Sequence, residues 1–106
     1  MVDDNLSDLG RFSDPALLIL VSLADGPKHG YAMMDDIERL NGVKLGPGTL
    51  YGALARLERR GLIEALPAEE RRRPYRLTAN GATVLQAQLD GLRHFVTTGL
   101  RRLAVT

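Results

Sequence analysis

From Ala16 to Ala24 the chain is apolar at every position but Ser22. A helix with so little polar surface is one buried on most sides, and it is expected to be the central core helix. Asp14 caps it, Pro15 suits its first position, and Asp25-Gly26-Pro27 ends it. A second helix is expected from Lys28-His29-Gly30-Tyr31 to about Leu40, with Met33, Ile37 and Leu40 inward and Asn41-Gly42 as its stop. After the short link Val43 to Leu45, Gly46-Pro47 opens a third helix that Gly61 closes. Its Leu50, Ala53, Leu54 and Leu57 fall at i, i+3, i+4 and i+7 and share one face.

Beyond Gly61 the period changes. Leu62 to Leu66 reads as a strand, Pro67 to Arg73 as a polar loop, and Pro74 to Thr78 as a second strand with Tyr75 and Leu77 on one face and Arg76 on the other. Thr78 then caps a last helix running from about Ala79 to near the C-terminus. In it Ala82, Leu89, Val96 and Leu103 occupy one heptad position and Leu85 and Leu92 the other, with Gly99 next in the second series. Phe95 and Leu100 widen this stripe beyond what a small helical core covers, which asks for a partner, most simply the same helix of a second copy; the alternative is packing against the N-terminal arm in a monomer.

The predicted fold class is therefore mainly α with a small β-hairpin: a winged helix-turn-helix plus a C-terminal dimerisation helix. Residues 1–13 are expected to form an N-terminal arm or short helix, 14–78 the winged helix-turn-helix, and 79–106 the dimerisation helix. A chain of 106 residues without cysteine forms one domain with a core of its own and no disulfide or thiolate metal site. The apolar fraction of 44% and charged fraction of 25% are those of an ordinary soluble protein. The longest apolar run is too short to cross a bilayer and the acidic N-terminus has no signal-peptide order, so a cytoplasmic location is expected.

The net charge of +1 hides a polarised distribution. Residues 1–40 carry eight acidic and three basic side chains, whereas residues 41–76 carry eight basic and four acidic ones. A central basic segment is the electrostatic footprint that phosphates require. The outer face of the third helix holds Gly48, Gly52, Ala55, Arg56 and Arg59, flanked by Thr49, Tyr51 and Arg60. Low bulk bordered by guanidinium donors suits a helix lying in a DNA major groove; the alternative for such a face is plain solvation. Arg71, Arg72 and Arg73 sit at the hairpin tip, where they can reach phosphates or a narrow minor groove, although Glu69 and Glu70 weaken their field. Lys28, at the start of the second helix, is a candidate phosphate contact, and His29 a turn residue that caps locally.

Nothing points to catalysis. The two histidines, His29 and His94, lie on different predicted helices, and there is no glycine-rich phosphate loop or metal-spaced cluster. No cofactor and no metal is expected. The competing non-catalytic reading is a winged helix that binds protein without binding DNA, which the small net charge and the Glu69-Glu70 pair keep open.

Four stretches carry a family resemblance: LLILVSLADGPKHGY (17–31), PGTLYGALARLERRGLI (47–63), PYRLTANG (74–81) and the amphipathic helix that follows. Together they resemble the PadR family of transcriptional regulators, in its short form without a further C-terminal domain. The resemblance implies a dimeric repressor that binds a palindromic operator in double-stranded DNA through a winged helix-turn-helix and is released by a small molecule or other signal. It places Pro47, Gly48, Thr49 and Tyr51 at the operator; Arg56, Arg59, Arg71, Arg72, Arg73 and Lys28 join them on charge and facing. It makes the last helix the homodimer interface, on Leu85, Leu89, Leu92, Val96 and Leu103. The chain departs from the family pattern at Gly52, where proline usually follows the helix tyrosine, and in having no tryptophan of the kind that sandwiches flat aromatic drugs in some short members. Phe12 and Phe95 are expected to serve core packing.

Overall fold

The computed structural model describes residues 14–105; the expected N-terminal arm and Phe12 lie outside them. The elements are α1 (Pro15–Leu23), β1 (Lys28–His29), α2 (Gly30–Asn41), α3 (Pro47–Arg59), β2 (Ile63–Ala65), β3 (Pro74–Leu77) and α4 (Ala79–Val105). A mainly helical fold with a small antiparallel sheet is thus what the chain forms.

Helix α1 is the centre of the core. Leu18, Ile19, Leu20 and Leu23 are buried, and α2, α3, α4 and β3 all pack on it. The Asp14 carboxylate accepts from the Ala16 N–H at 3.1 Å and fixes its start. Its one polar residue, Ser22, is 1% exposed yet satisfied: the hydroxyl donates to Asp36 Oδ2 of α2 at 2.7 Å. Helix α2 contributes Met33 and Ile37, and α3 contributes Leu50, Ala53, Leu54 and Leu57. Leu40, expected inward, is 52% exposed. It lies in the last turn of α2, just before Gly42 takes the left-handed conformation (φ 77°) that ends the helix.

The sheet has three strands in the order β1-β3-β2, all antiparallel. The sequence pattern gives the hairpin β2–β3, in which Ile63 faces Leu77, Glu64 faces Arg76 and Ala65 faces Tyr75. It does not give β1. Lys28 and His29 were expected to open a helix, but they pair with Tyr75 and Pro74, and the helix starts only at Gly30. Two residues carry no readable period, so only the partner strand reveals this one. Opposite charges face each other across β2 and β3, where Arg76 pairs with Glu64.

Helix α4 is tied down at its first turn. The Thr78 hydroxyl accepts from the Gly81 N–H at 3.0 Å and donates to the Gly61 carbonyl at 2.6 Å. Gly81 and Leu85 are the buried residues of α4. Leu85 therefore does not belong to a dimer seam as expected; at 5% exposure it fills this protomer's own core. Further along, Leu89, Val96, Leu100 and Leu103 are exposed, and Phe95 is 75% exposed instead of packed in a core. A helix of 27 residues, about 40 Å long, simply outruns the domain it packs on.

Candidate nucleic-acid interface

The buried face of α3 leaves Pro47, Gly48, Thr49, Tyr51, Gly52, Ala55, Arg56, Arg59 and Arg60 exposed. A Cβ built on Gly48 would have nothing within 4 Å, and one on Gly52 would meet only Arg56 Nη1 at 3.9 Å. The middle of this face is therefore open backbone with long donors around it. Tyr51 is half exposed, and its other side covers Gly30: a Cβ there would lie 2.3 Å from the Tyr51 hydroxyl oxygen and 2.9 Å from its ring carbon Cζ. Glycine at position 30 gives the tyrosine its seat.

The hairpin narrows to a tight tip. Leu66 N–H donates to the Pro74 carbonyl at 2.8 Å, and Glu69 and Arg72 exchange backbone hydrogen bonds at 2.6 and 2.8 Å. Between them Glu70 and Arg71 both have positive φ, 48° and 70°. Two successive positive values are the mark of a two-residue turn that matches strand twist and favours Asn-Gly. Neither residue here is one that adopts this region readily. Glu70→Asn is accordingly expected to raise the unfolding free energy by about 0.5–1 kcal/mol, read by urea denaturation; an unchanged or lower midpoint would refute a strained tip.

The wing and α3 meet the domain body at adjacent residues. Arg72 Nη1 lies 3.4 Å from His29 Nε2, one residue before the glycine that seats Tyr51. His29 occupies the N-cap position of α2, but its side chain makes no capping bond, contrary to the expected role; the ring faces the wing instead. Tyr75 of β3 joins the two parts. Burial, then the nearby Glu58 carboxylate and the Tyr51 phenol, push its phenol above its ordinary pKa, while Arg73 acts in the other direction.

The basic side chains fall into two groups. Arg72 leans on His29, Arg73 donates to the Leu66 carbonyl at 3.1 Å, and Arg76 is paired with Glu64. Lys28 is turned inward: its ammonium bonds the Ser22 carbonyl and the Asp25 carboxylate, and the side chain is 18% exposed. That contact holds the Asp25 carboxyl below the usual carboxylate range, first through the hydrogen bond and then through charge. With strand backbone and an internal partner, Lys28 has neither the helix start nor the free ammonium that a phosphate contact was expected to use. Among the described residues, by contrast, the side chains of Arg56, Arg59, Arg60 and Arg71 have no hydrogen-bond or ion-pair partner, and neither do those of Arg101 and Arg102 near the end of α4. Arg56 and Arg59 stand on α3, Arg60 at its C-cap and Arg71 at the wing tip. Sequence reading missed His29 and Gly30 as the joint of the interface; the signal available was their adjacency in one short turn.

Among the described residues no helix is long and apolar enough to cross a membrane, and no group of three or more His, Cys, Asp or Glu could hold a metal ion.

Residues 19–87 match the transcriptional regulator PadR-like family. A solved transcriptional regulator from Clostridium thermocellum is 29% identical with a TM-score of 0.70, over 78% of this chain and 86% of that one. A PadR family transcription regulator from Clostridium difficile is 26% identical with a TM-score of 0.73, over 84% of this chain and 97% of that one. An uncharacterized 37.1 kDa protein in transposon TN4556 of Streptomyces fradiae is 49% identical over 82 residues, 77% of this chain. The chain spans about a quarter of the length of that curated relative, the match covering 24% of it.

Proposed function

The chain belongs to the PadR-like family of transcriptional regulators, and from that premise we propose that it is a dimeric repressor of a palindromic operator, released by a small molecule or another signal. The family is one of DNA-binding regulators, not of enzymes. In this reading residues 14–78 bind DNA and residues 79–106 hold two copies together. Helix α3 lies in the major groove with Pro47, Gly48, Thr49 and Tyr51 toward the bases. Arg59 and Arg60 reach the phosphates on one side, and Arg71, with Arg72 and Arg73 behind it, follows the backbone or the minor groove on the other. Leu89, Leu92, Val96 and Leu103 form the seam between copies. A signal that alters this seam changes the spacing of two α3 helices, which must match half-sites about 34 Å apart or a multiple of it.

The observation that carries the reading is the concentration of uncommitted guanidinium groups around the side-chain-free centre of α3 and at the wing tip. Gel retardation of the DNA immediately upstream of this protein's own gene, and of random-sequence DNA, tests it at several salt concentrations. Binding is expected to weaken steeply with salt, and Arg59→Ala is expected to lower the slope of log affinity against log salt by about one per protomer. If the wild type retains no DNA even at low salt, the reading fails, and a winged helix that binds a protein partner takes its place.

A further inference from the structure

Arg56 and Arg59 stand on the same exposed face of α3, and Arg56 reaches back along the helix. Its Nη1 is 3.9 Å from the point where Gly52 would carry a Cβ. Helical side chains lean toward the N-terminus, so a long one covers the turn before its own Cα. Gly52 leaves that turn bare, and the guanidinium lies over it at a distance that a methyl would just touch. The fork is thereby carried from the third turn of α3 back toward the end of a recognition helix that meets base edges.

That end otherwise offers only single hydroxyls. Gly48 and Gly52 have no side chain, and the Tyr51 ring is seated over Gly30, which leaves the hydroxyls of Thr49 and Tyr51. Arg56 has no partner in the described protein that would have to be broken first. A planar fork free to present two parallel N–H donors matches the O6 and N7 acceptors of guanine in the major groove. Arg59 and Arg60, in the last turn and at the C-cap of α3, lie farther from the base-reading end, where backbone contact is the simpler role.

We infer that Arg56, bedded on Gly52, reads one guanine in each half-site, and that Gly52 is the residue that sets its reach. This rests on the DNA-binding reading above and adds to it a division of labour: Arg56 specifies, while its neighbours anchor.

Selection from random-sequence DNA with the full chain tests it, using wild type, Arg56→Ala and Gly52→Leu. Alanine removes the fork and keeps the helix. Leucine fills the bed while raising helix propensity, so a lost signal does not mean a lost helix; circular dichroism confirms folding of both. Wild type is expected to enrich one guanine per half-site. Both variants are expected to lose that preference about tenfold to hundredfold, Arg56→Ala without lowering the slope of log affinity against log salt. The inference is overturned if Arg56→Ala keeps the guanine, or if it weakens every sequence alike and lowers the salt slope by about one, the behaviour of a phosphate anchor. It is also overturned if wild type itself selects nothing and retains no DNA at low salt, but then the fault lies with the DNA-binding reading, since the wild type and not the variant fails.

Discussion

Gly81→Ala is expected to cost this protein about 3 kcal/mol of stability or more, at the upper end of what overpacking does. Gly81 is the third residue of α4, and an added methyl would sit 2.0 Å from the Leu62 carbonyl oxygen and 2.9 Å from Leu77 Cδ1. The oxygen cannot retreat cheaply. It accepts the Thr78 N–H at 3.1 Å, and Leu62 and Ile63 are themselves core residues, 7% and 1% exposed. Moving α4 away instead breaks the bonds of the Thr78 hydroxyl to Gly81 and Gly61 and lifts Leu85 from the core. Either route unseats the helix. The melting temperature is expected to fall by about 10–20 °C, at the shift per kcal/mol typical of a domain this size. Gly91→Ala is the control. It changes the same residue type in the same helix, but nothing lies within 4 Å of its added methyl. There alanine is expected to gain about 0.5–1 kcal/mol through helix propensity alone. If thermal unfolding moves the two variants in the same direction, close backbone approach is not what position 81 requires.

These two glycines also mark the boundary of what sequence can tell. Both sit in an amphipathic pattern and look alike along the chain; only the packed carbonyl of Leu62 separates them. The same limit appears elsewhere. Four helices and the β2–β3 hairpin were legible because each has a period or a punctuating residue: Asp14-Pro15 before α1, Gly46-Pro47 before α3, the left-handed Gly61 after it. The exposed face of α3 followed from the buried one by elimination. β1 has two residues and no period, so it exists only as the partner of β3. The candidate interface was legible as a set of residue types but not as a set of free and committed charges. Lys28 and Arg56 are both cations near a helix end in the sequence. In the fold one is bonded to Ser22 and Asp25 and the other lies open on α3. Which ammonium or guanidinium is available depends on partners in other elements, and no local pattern records them.

The apolar stripe of α4 was legible in the same partial way, and the part that was misread makes its test cleaner. Leu85 belongs to the core, whereas Leu89, Val96 and Leu100 are 37%, 51% and 63% exposed. A substitution beyond Leu85 can therefore attack a seam between copies without touching the protomer's own packing. Val96→Glu is expected to convert the proposed dimer to a monomer whose helical spectrum is intact. In a two-fold seam the same residue is buried twice, so one substitution places two carboxylates in an apolar contact. An unpaired charge buried in this way costs about 3–5 kcal/mol. The consequence for DNA should exceed the consequence for the fold. A dimer holds its second recognition helix at high effective concentration once the first is bound, and losing that link weakens binding to a full palindrome by about 10²- to 10⁴-fold. Binding to an isolated half-site should hardly change, because α3 and the wing are untouched. Light scattering reads the mass, and gel retardation on full and half operators reads the affinities. A wild type that is already monomeric, or a variant that stays dimeric, would remove α4 as the element that spaces the two α3 helices. A variant that becomes monomeric yet keeps full-operator affinity would leave the seam in place but show that each wing and α3 bind alone, with no role for spacing in recognition.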